Sequence, residues 1–308
     1  MEDRKNGDLT LIVLAAGLGR RFGGPKQVEA VGPSGEIILD YSIFDALRAG
    51  FSRIVLVVHD EVEAVLRRHL APVASHGEIE YVTQRMDDVP PGCATPLGRQ
   101  RPWGTGHAVW ACRDVVAGPC AVVNADDFYG AAAFETMARF LRGGGDRCPF
   151  PCALIGYALD STLTSHGSVS RGVCKVDATG RLVSIVERHG VERREGKVGY
   201  PEQGTWHPLD ENAVVSMNFW GFSPGVLALF GREFHRFLVA GVPAEQEFEL
   251  PTAVGALVEA GEITVFVLPT TAAWLGVTHR HDLGRVRGEI ARQVAGGAYP
   301  SPVWRRGM

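Results

Sequence analysis

The 308-residue chain is short of several features, and each shortage excludes something. It lacks an excess of charge of one sign: 31 Lys and Arg stand against 35 Asp and Glu, a net charge of -4. Such a balance gives no broad attraction to a polyanion, so non-specific nucleic-acid binding is excluded and any phosphate must be held locally. It lacks long apolar runs. The longest, Leu9 to Ala16 and Ile54 to Val58, are too short to cross a bilayer. Met1 to Asp8 mixes acidic and basic residues without the apolar run and cleavage site of a signal peptide. A cytoplasmic protein with no membrane and no nucleic-acid partner is therefore the expectation. Cysteine is sparse and unpatterned: positions 93, 112, 120, 148, 152 and 174 form no CxxC pair and no metal-ligand spacing, the nearest approach being Cys148-Pro-Phe-Pro-Cys152. Reduced, partly buried thiols follow. Internal repeats and low-complexity tracts are absent as well.

What is present is a globular composition, 45% apolar and 21% charged, enough for one large α/β domain or two small ones. Leu9-Thr-Leu-Ile-Val-Leu-Ala-Ala16 is an apolar run rich in β-branched residues and closed by glycine, which predicts a strand buried on both faces of a parallel sheet. A helix is predicted over Asp40 to Ala49, stopped by Gly50, and a second buried strand over Arg53 to Val58. Helix Asp60 to Leu70 and strand Ile79 to Thr83 continue the alternation. Met86 to Trp103, rich in Pro, Gly and Arg, reads as an irregular active-site loop. Helix Gly106 to Val115, strand Cys120 to Asn124 and helix Phe134 to Leu141 follow, with Gly143 to Asp146 as a linker. Strands are predicted over Cys152 to Leu159, Val173 to Asp177, Leu182 to Glu187, Val214 to Phe222 and Glu262 to Leu268, and helices over Leu227 to Ala240 and Pro251 to Ala260. The fold expected is α/β: a Rossmann-like mixed, mainly parallel sheet flanked by helices, with added β structure in the second half.

The most informative segment is Leu14-Ala-Ala-Gly17-Leu-Gly19-Arg20-Arg21-Phe-Gly23-Gly24-Pro25-Lys26-Gln27. Its glycines let backbone N–H groups come close to phosphate oxygens, while Arg21 and Lys26 bring positive charge for a polyphosphate. The bland alternative is a surface turn with solvated cations. The loop lacks the Gly-Lys-Ser/Thr ending of a Walker A motif, and Phe22 stands where a dinucleotide fingerprint needs its third glycine. A second candidate is Asp126-Asp127, at the carboxyl end of a predicted strand, where open α/β sheets place ligand chemistry. A carboxylate there suits Mg²⁺ beside a reacting phosphate, and the bland alternative is an Asp capping a helix.

The loop resembles the signature of the sugar-phosphate nucleotidyltransferase superfamily, LAAGxGxR followed by PK. Asp40 to Arg48, Pro102-Trp-Gly-Thr-Gly-His-Ala108, Asn124-Ala-Asp-Asp-Phe-Tyr-Gly130, Gly167-Ser-Val-Ser-Arg-Gly-Val173 and Ser216-Met-Asn-Phe-Trp-Gly221 are similar to further blocks of a bacterial branch, from about residue 9 to 285. The resemblance implies transfer of a nucleoside monophosphate from an NTP to a sugar-1-phosphate, giving an NDP-sugar and pyrophosphate with Mg²⁺ as cofactor. It implies Arg21, Lys26 and Asp126 as catalytic, with Asp126 on the metal. Leu14, Ala15, Ala16, Gly17, Gly19, Arg20, Gln84, Gly104, Thr105 and Asp126 would bind the nucleotide, the Gln84 amide reading the base. Lys26, Gly172, Glu187, Arg188 and Asn218 would bind the acceptor, Arg188 replacing the lysine of the family's Glu-Lys pair. For Gln84 and Glu187 the bland alternatives are solvated polar residues. The organisation implied is a catalytic core over 1–230, with a nucleotide part at about 9–130 and an acceptor part at about 150–230, completed by 231–308 within the same domain. Relatives are often dimers or tetramers, so a homo-oligomer is an expectation; Phe230 to Leu238 and Tyr299 to Trp304 read as packed core before partner surface.

One departure stands out. The better-known hexose-phosphate enzymes carry a second metal aspartate in Trp-x-Asp-x-Gly-Thr, whereas this chain reads Trp274-Leu-Gly276-Val-Thr278. Either one aspartate and the substrate phosphates hold the metal, or Asp127, Asp282 or His279 contributes; imidazole is a poor Mg²⁺ ligand. The rival readings are transfer to a choline-phosphate, phosphonate or molybdopterin acceptor, a catalytically silent nucleotide-binding regulatory module, and an NAD-dependent oxidoreductase using the acids of His59-Asp60-Glu61.

Overall fold

The computed structural model describes residues 8–17, 28–145, 148–164, 167–241, 243, 245–277 and 282–304. In chain order the elements are β1 (Leu9–Leu14), α1 (Ile38–Ala49), β2 (Phe51–Val58), α2 (Asp60–His69), β3 (Glu78–Thr83), α3 (Thr105–Trp110), β4 (Cys120–Asn124), β5 (Asp127–Phe128), α4 (Ala131–Gly143) and β6 (Phe150–Ala158). They continue with β7 (Val169–Val176), β8 (Leu182–Arg194), β9 (Lys197–Glu202), β10 (Thr205–Pro208), β11 (Val214–Phe222), α5 (Val226–Val239), α6 (Leu250–Glu259), β12 (Ile263–Pro269), β13 (Leu275–Gly276) and α7 (Asp282–Ala295).

The main sheet runs β10-β9-β8-β7-β11-β4-β1-β2-β3, with β6 on the other edge of β11 and β12 beyond it. The strands β4, β1, β2 and β3 are mutually parallel, and so are β6 and β12; the remaining pairs of this sheet are antiparallel. This is the mixed, mainly parallel α/β sheet that the sequence predicts, with its added β structure late in the chain. Its central strand explains the layering: Leu11 and Val13 of β1 pack among Ile43, Phe134 and Met137 from α1 and α4, while Ile12 between them joins Trp110, Phe230 and Val254 from α3, α5 and α6. Alternate side chains of an extended strand point to opposite faces, so an unbroken apolar run places one buried residue in each layer. Each such side chain contributes roughly 1.5–3 kcal/mol.

A third apolar cluster joins Tyr41 of α1 and Phe128 of β5 to Val286 and Ile290 of α7, closed by Tyr299 and Val303. The carboxylates of α1 pin this end. Trp304 Nε1 donates to Asp40 Oδ1 at 2.7 Å and Tyr299 Oη to Asp45 Oδ2 at 2.7 Å. Phe230, Phe234, Tyr299 and Val303 are buried within their own chain.

The structure differs from the sequence reading in several places. Helix α3 stops at Trp110, because Cys112, Arg113 and Val115 donate to carbonyls three residues back, tightening residues 111–115 into turns. Helix α4 begins at Ala131 and includes Gly143, which was expected to open a linker. Strand β8 continues to Arg194, through seven residues of which only Val191 is large and apolar, and the last three, Glu192 to Arg194, pair with β9 in an antiparallel arm. Helix α7 and the arm strands β9 and β10 were not predicted. The six cysteines are free thiols, with Cys112, Cys120 and Cys152 buried.

Candidate functional site

The carboxyl ends of the parallel strands share one edge of the sheet. Ala15 N–H donates to Val57 O at 2.8 Å, Gln84 N–H to Val58 O at 3.0 Å and Ala125 N–H to Leu14 O at 3.1 Å, so the starts of the loops after β1, β3 and β4 lie side by side. Leu14, Ala15, Ala16 and Gly17 stand at this edge. Gly19, Arg20, Arg21 and Lys26, expected to hold phosphate, lie outside the described residues, as does His279.

On the β3 side, Gln84 is buried against the start of α3. Its Nε2 lies 2.9 Å from Gly104 O and 3.1 Å from His107 Nδ1, and His107 Nε2 lies 2.8 Å from Asp88 O. His107 is fully enclosed, and burial lowers its pKa, with Asp88 opposing and Arg113 and Arg99 adding. Gly104 is required by shape: its φ is +98°, and a Cβ there would meet Phe248 O at 2.9 Å. Thr105 Oγ1 accepts from Leu250 N–H at 2.9 Å, which ties α6 to α3. The structure thus places Gln84 against Gly104, with Thr105 next to it at the start of α3; sequence reasoning did not single out His107.

On the β4 side the sheet itself opens a cavity. One edge of β11 pairs with β7 at Val215 and Ser216 and then with β4 from Trp220 to Phe222. Between the two partners the register against β6 shifts, and Asn218 adopts φ +59°, the left-handed region that Asn tolerates better than most residues. The gap left by this exchange of partners is a cavity of about 200 Å³ lined by Asp127, Arg171, Gly172, Glu187, Asn218 and Trp274, among others. Three of the residues expected for the acceptor, Gly172, Glu187 and Asn218, meet there.

Asp127 is held in the cavity wall by Asn124 Nδ2 at 2.9 Å, with Tyr129 Oη at 3.3 Å from the same oxygen. Asp126 is half-buried and does not line this cavity; its carbonyl accepts from Val277 N–H at 3.4 Å. Neither aspartate caps α4, whose N-cap is Gly130. Burial raises the Glu187 pKa, helped by Glu249 and opposed by His189 and Arg171. Arg171 is 7% exposed and its guanidinium is anchored to Thr162 and to Ser170 O; burial lowers its pKa to about 10 against the pull of Asp127 and Glu187. Arg171, Trp274 and Asn124 were missed as site residues, although Arg171 sits inside the Gly167 to Val173 block.

Two expected residues are not brought in. Arg188 follows Glu187 on β8, so its side chain emerges on the opposite face. There it pairs with Glu202 at 2.8 Å, covers the Tyr200 ring and lines a separate cavity with His207. Asp282 opens α7, where Thr164 Oγ1 lies 3.5 Å from its carboxylate, away from the cavity lining. Among the described residues, no group of three His, Cys, Asp or Glu is placed to hold a metal by itself. Mg²⁺ does not require one, since it commonly takes one or two carboxylates and completes its shell with water and substrate phosphate. Among the described residues no helix is long and apolar enough to cross a membrane.

Residues 11–98 match the family model of the MobA-like NTP transferase domain. No curated protein sequence matches the chain. Among solved structures it is similar to the inositol-1-phosphate CTP transferase from T. maritima, at TM-score 0.61 and 15% identity over 94% of this chain and 98% of that one. It is also similar to a UDP-glucose pyrophosphorylase complexed with UDP-glucose, at TM-score 0.59 and 14% identity over 93% of this chain and 99% of that one.

Proposed function

From a chain that has the fold of the sugar-phosphate nucleotidyltransferases and matches the MobA-like NTP transferase model over residues 11–98, we propose an enzyme that transfers a nucleoside monophosphate from an NTP to a sugar-1-phosphate. One observation carries this reading. The Asn124 to Asp127 segment is bonded to the end of β1 on one side and lines the cavity holding Gly172, Glu187 and Asn218 on the other. An NTP on the β1 loop and an acceptor in the cavity would meet at this segment.

The acceptor's phosphate oxygen attacks the α-phosphorus in line; the new P–O bond forms as the bond to the β-phosphate oxygen breaks and pyrophosphate leaves. A phosphate nucleophile is already ionised at neutral pH, so no general base is required, and positioning with charge neutralisation supplies the rate. Asp126, with Asp127 beside it, fits Mg²⁺, which when bound would neutralise charge on the reacting phosphate. Glu187 and Asn218 suit acceptor hydroxyls, because a carboxylate and an amide between them offer acceptors and donors. Arg21 and Lys26 are proposed to neutralise the polyphosphate.

The test is pyrophosphate release from a panel of NTPs crossed with phosphorylated sugars, inositol phosphate and choline phosphate, with and without Mg²⁺. Release that requires one NTP, a sugar-1-phosphate and metal supports the reading. Release only with a non-sugar acceptor, or NTP binding with no turnover on any acceptor, overturns it.

A further inference from the structure

The Gln84 side chain has a determined polarity, and His107 determines part of it. A carboxamide is ambiguous in general, since its NH₂ and C=O ends are nearly isosteric and either can face a ligand. Here the ambiguity is removed by two acceptors. Gly104 O, 2.9 Å from Nε2, can only accept. His107 Nε2 lies 2.8 Å from Asp88 O, another atom that can only accept, so the imidazole proton sits on Nε2 and Nδ1 keeps its lone pair. That lone pair faces Gln84 Nε2 at 3.1 Å. Both amide hydrogens are thereby used within the protein, and turning the amide over would set its oxygen against two acceptors at once.

What remains is Gln84 Oε1. It accepts from no described residue, and it is not among the polar atoms sealed from solvent without a partner. We infer that His107 is a positioning residue that commits Gln84 to present only a hydrogen-bond acceptor to the nucleobase, so that the base must offer an N–H at this point. The inference rests on the proposed nucleotidyltransfer and on the reading, implied by the family resemblance, in which Gln84 faces the base. It goes beyond that reading by fixing the direction of the hydrogen bond and assigning the control to a buried side chain that touches no substrate.

Enclosure supports the arrangement. His107 is covered by the rings of Trp110 and Phe234, and the charged groups around it are Asp88, Arg113 and Arg99. Desolvation favours its neutral form, which is the form that keeps an acceptor at Nδ1.

The experiment measures NTP binding by calorimetry without acceptor, so that it does not depend on turnover. The tightest-binding NTP is compared with its analogue methylated at the Watson–Crick-edge N–H, on wild-type protein, His107→Leu and His107→Asn. Wild type should bind the methylated analogue at least about tenfold more weakly, the effect of losing a buried hydrogen bond. His107→Leu frees one amide hydrogen and should shrink that discrimination about fivefold or more, with the Kd for the unmodified NTP raised. His107→Asn, which places an oxygen near the Nδ1 position, should restore it. Equal binding of the methylated analogue by wild type overturns the inference without any variant. A folded His107→Leu that discriminates as wild type does overturns it while leaving the proposed function standing. Failure of the wild-type protein to bind any NTP overturns both.

Discussion

Asp127 and Gly276 are register partners across the antiparallel pair β5–β13, and a Cβ on Gly276 would lie 2.8 Å from Asp127 Oδ1 and 2.4 Å from the Trp274 ring. A side chain at 276 therefore has no room: the space beside it holds the carboxylate of Asp127. The aspartate expected at 276 from the hexose-phosphate pattern is absent, and an aspartate stands instead on the strand opposite. Gly276→Ala should cost about 1–3 kcal/mol through overpacking, and Gly276→Asp more, because a second negative charge is added at the same point. Urea titration measures both, and an unchanged midpoint for Gly276→Ala would contradict the packing described.

Asp126 caps no helix, and its backbone carbonyl, which accepts from Val277 N–H, survives substitution by alanine. Asp126→Ala should lower kcat/KM by about 10²–10³ in Mg²⁺, the size of a lost transition-state electrostatic contact. Full activity in the variant would remove Asp126 from the chemistry.

Glu187 and Arg188 are adjacent in sequence and opposite in space. Glu187→Gln should raise the acceptor KM about tenfold or more, as expected when a charged hydrogen-bond partner is lost. Arg188→Ala should leave that KM within about twofold, since an exposed ion pair on another face contributes little. If Arg188→Ala raises the acceptor KM as strongly as Glu187→Gln does, the assignment of the two faces fails.

Asp45 gives the fold a pH dependence of definite sign. It is 1% exposed, Oδ2 accepts from Tyr299, and Oδ1 has no hydrogen-bond partner among the described residues. Burial raises its pKa to about 7, Glu135 adding and Tyr299 and Arg48 opposing. A carboxyl whose pKa is raised by folding favours the native state while protonated. That contribution is complete below about pH 4, where the unfolded chain is protonated too, and is lost as pH rises through about 7. Asp45→Asn should flatten the stability profile over this window and remove a penalty on the order of 2–4 kcal/mol at pH 8. Urea midpoints from pH 4 to 8 measure it; parallel profiles for the two proteins would show that Asp45 does not titrate in this range.

The sequence was legible where burial is two-sided. The run from Leu9 and the run from Arg53 could hardly be anything but central strands, and the acids after Asn124 stood where such strands present ligands. The stretch from Arg188 to Arg194 hid a strand because Val191 is its only large apolar residue and gives no alternating pattern, and the Val286–Ile290 stripe of α7 went unread among charged neighbours. Glu187 and Arg188 were read as one pair because a motif was carried over without the alternation of a strand, which sends the two side chains to different cavities. Arg171 and His107 escaped because their importance comes from partners distant in sequence, Asp127 for one and Gln84 for the other.

The partner exchange along β11 also has a mechanical meaning. On one edge β11 is paired to β6 on both sides of its bulge, whereas β7 is joined to its other edge through Val215 and Ser216 alone. The arm of β7 to β10 thus pairs with β11 over a short stretch, and it is held elsewhere as well: Val267 N–H of β12 donates to Gly180 O at 2.8 Å, and Val169, Val191, Val198 and Tyr200 are buried in the main apolar cluster. Glu187, pairing with Gly172 beside the β11 contact, therefore sits on a wall braced from two sides, so the width of the cavity is set by the packing of the whole arm and not by two residues of β11 alone.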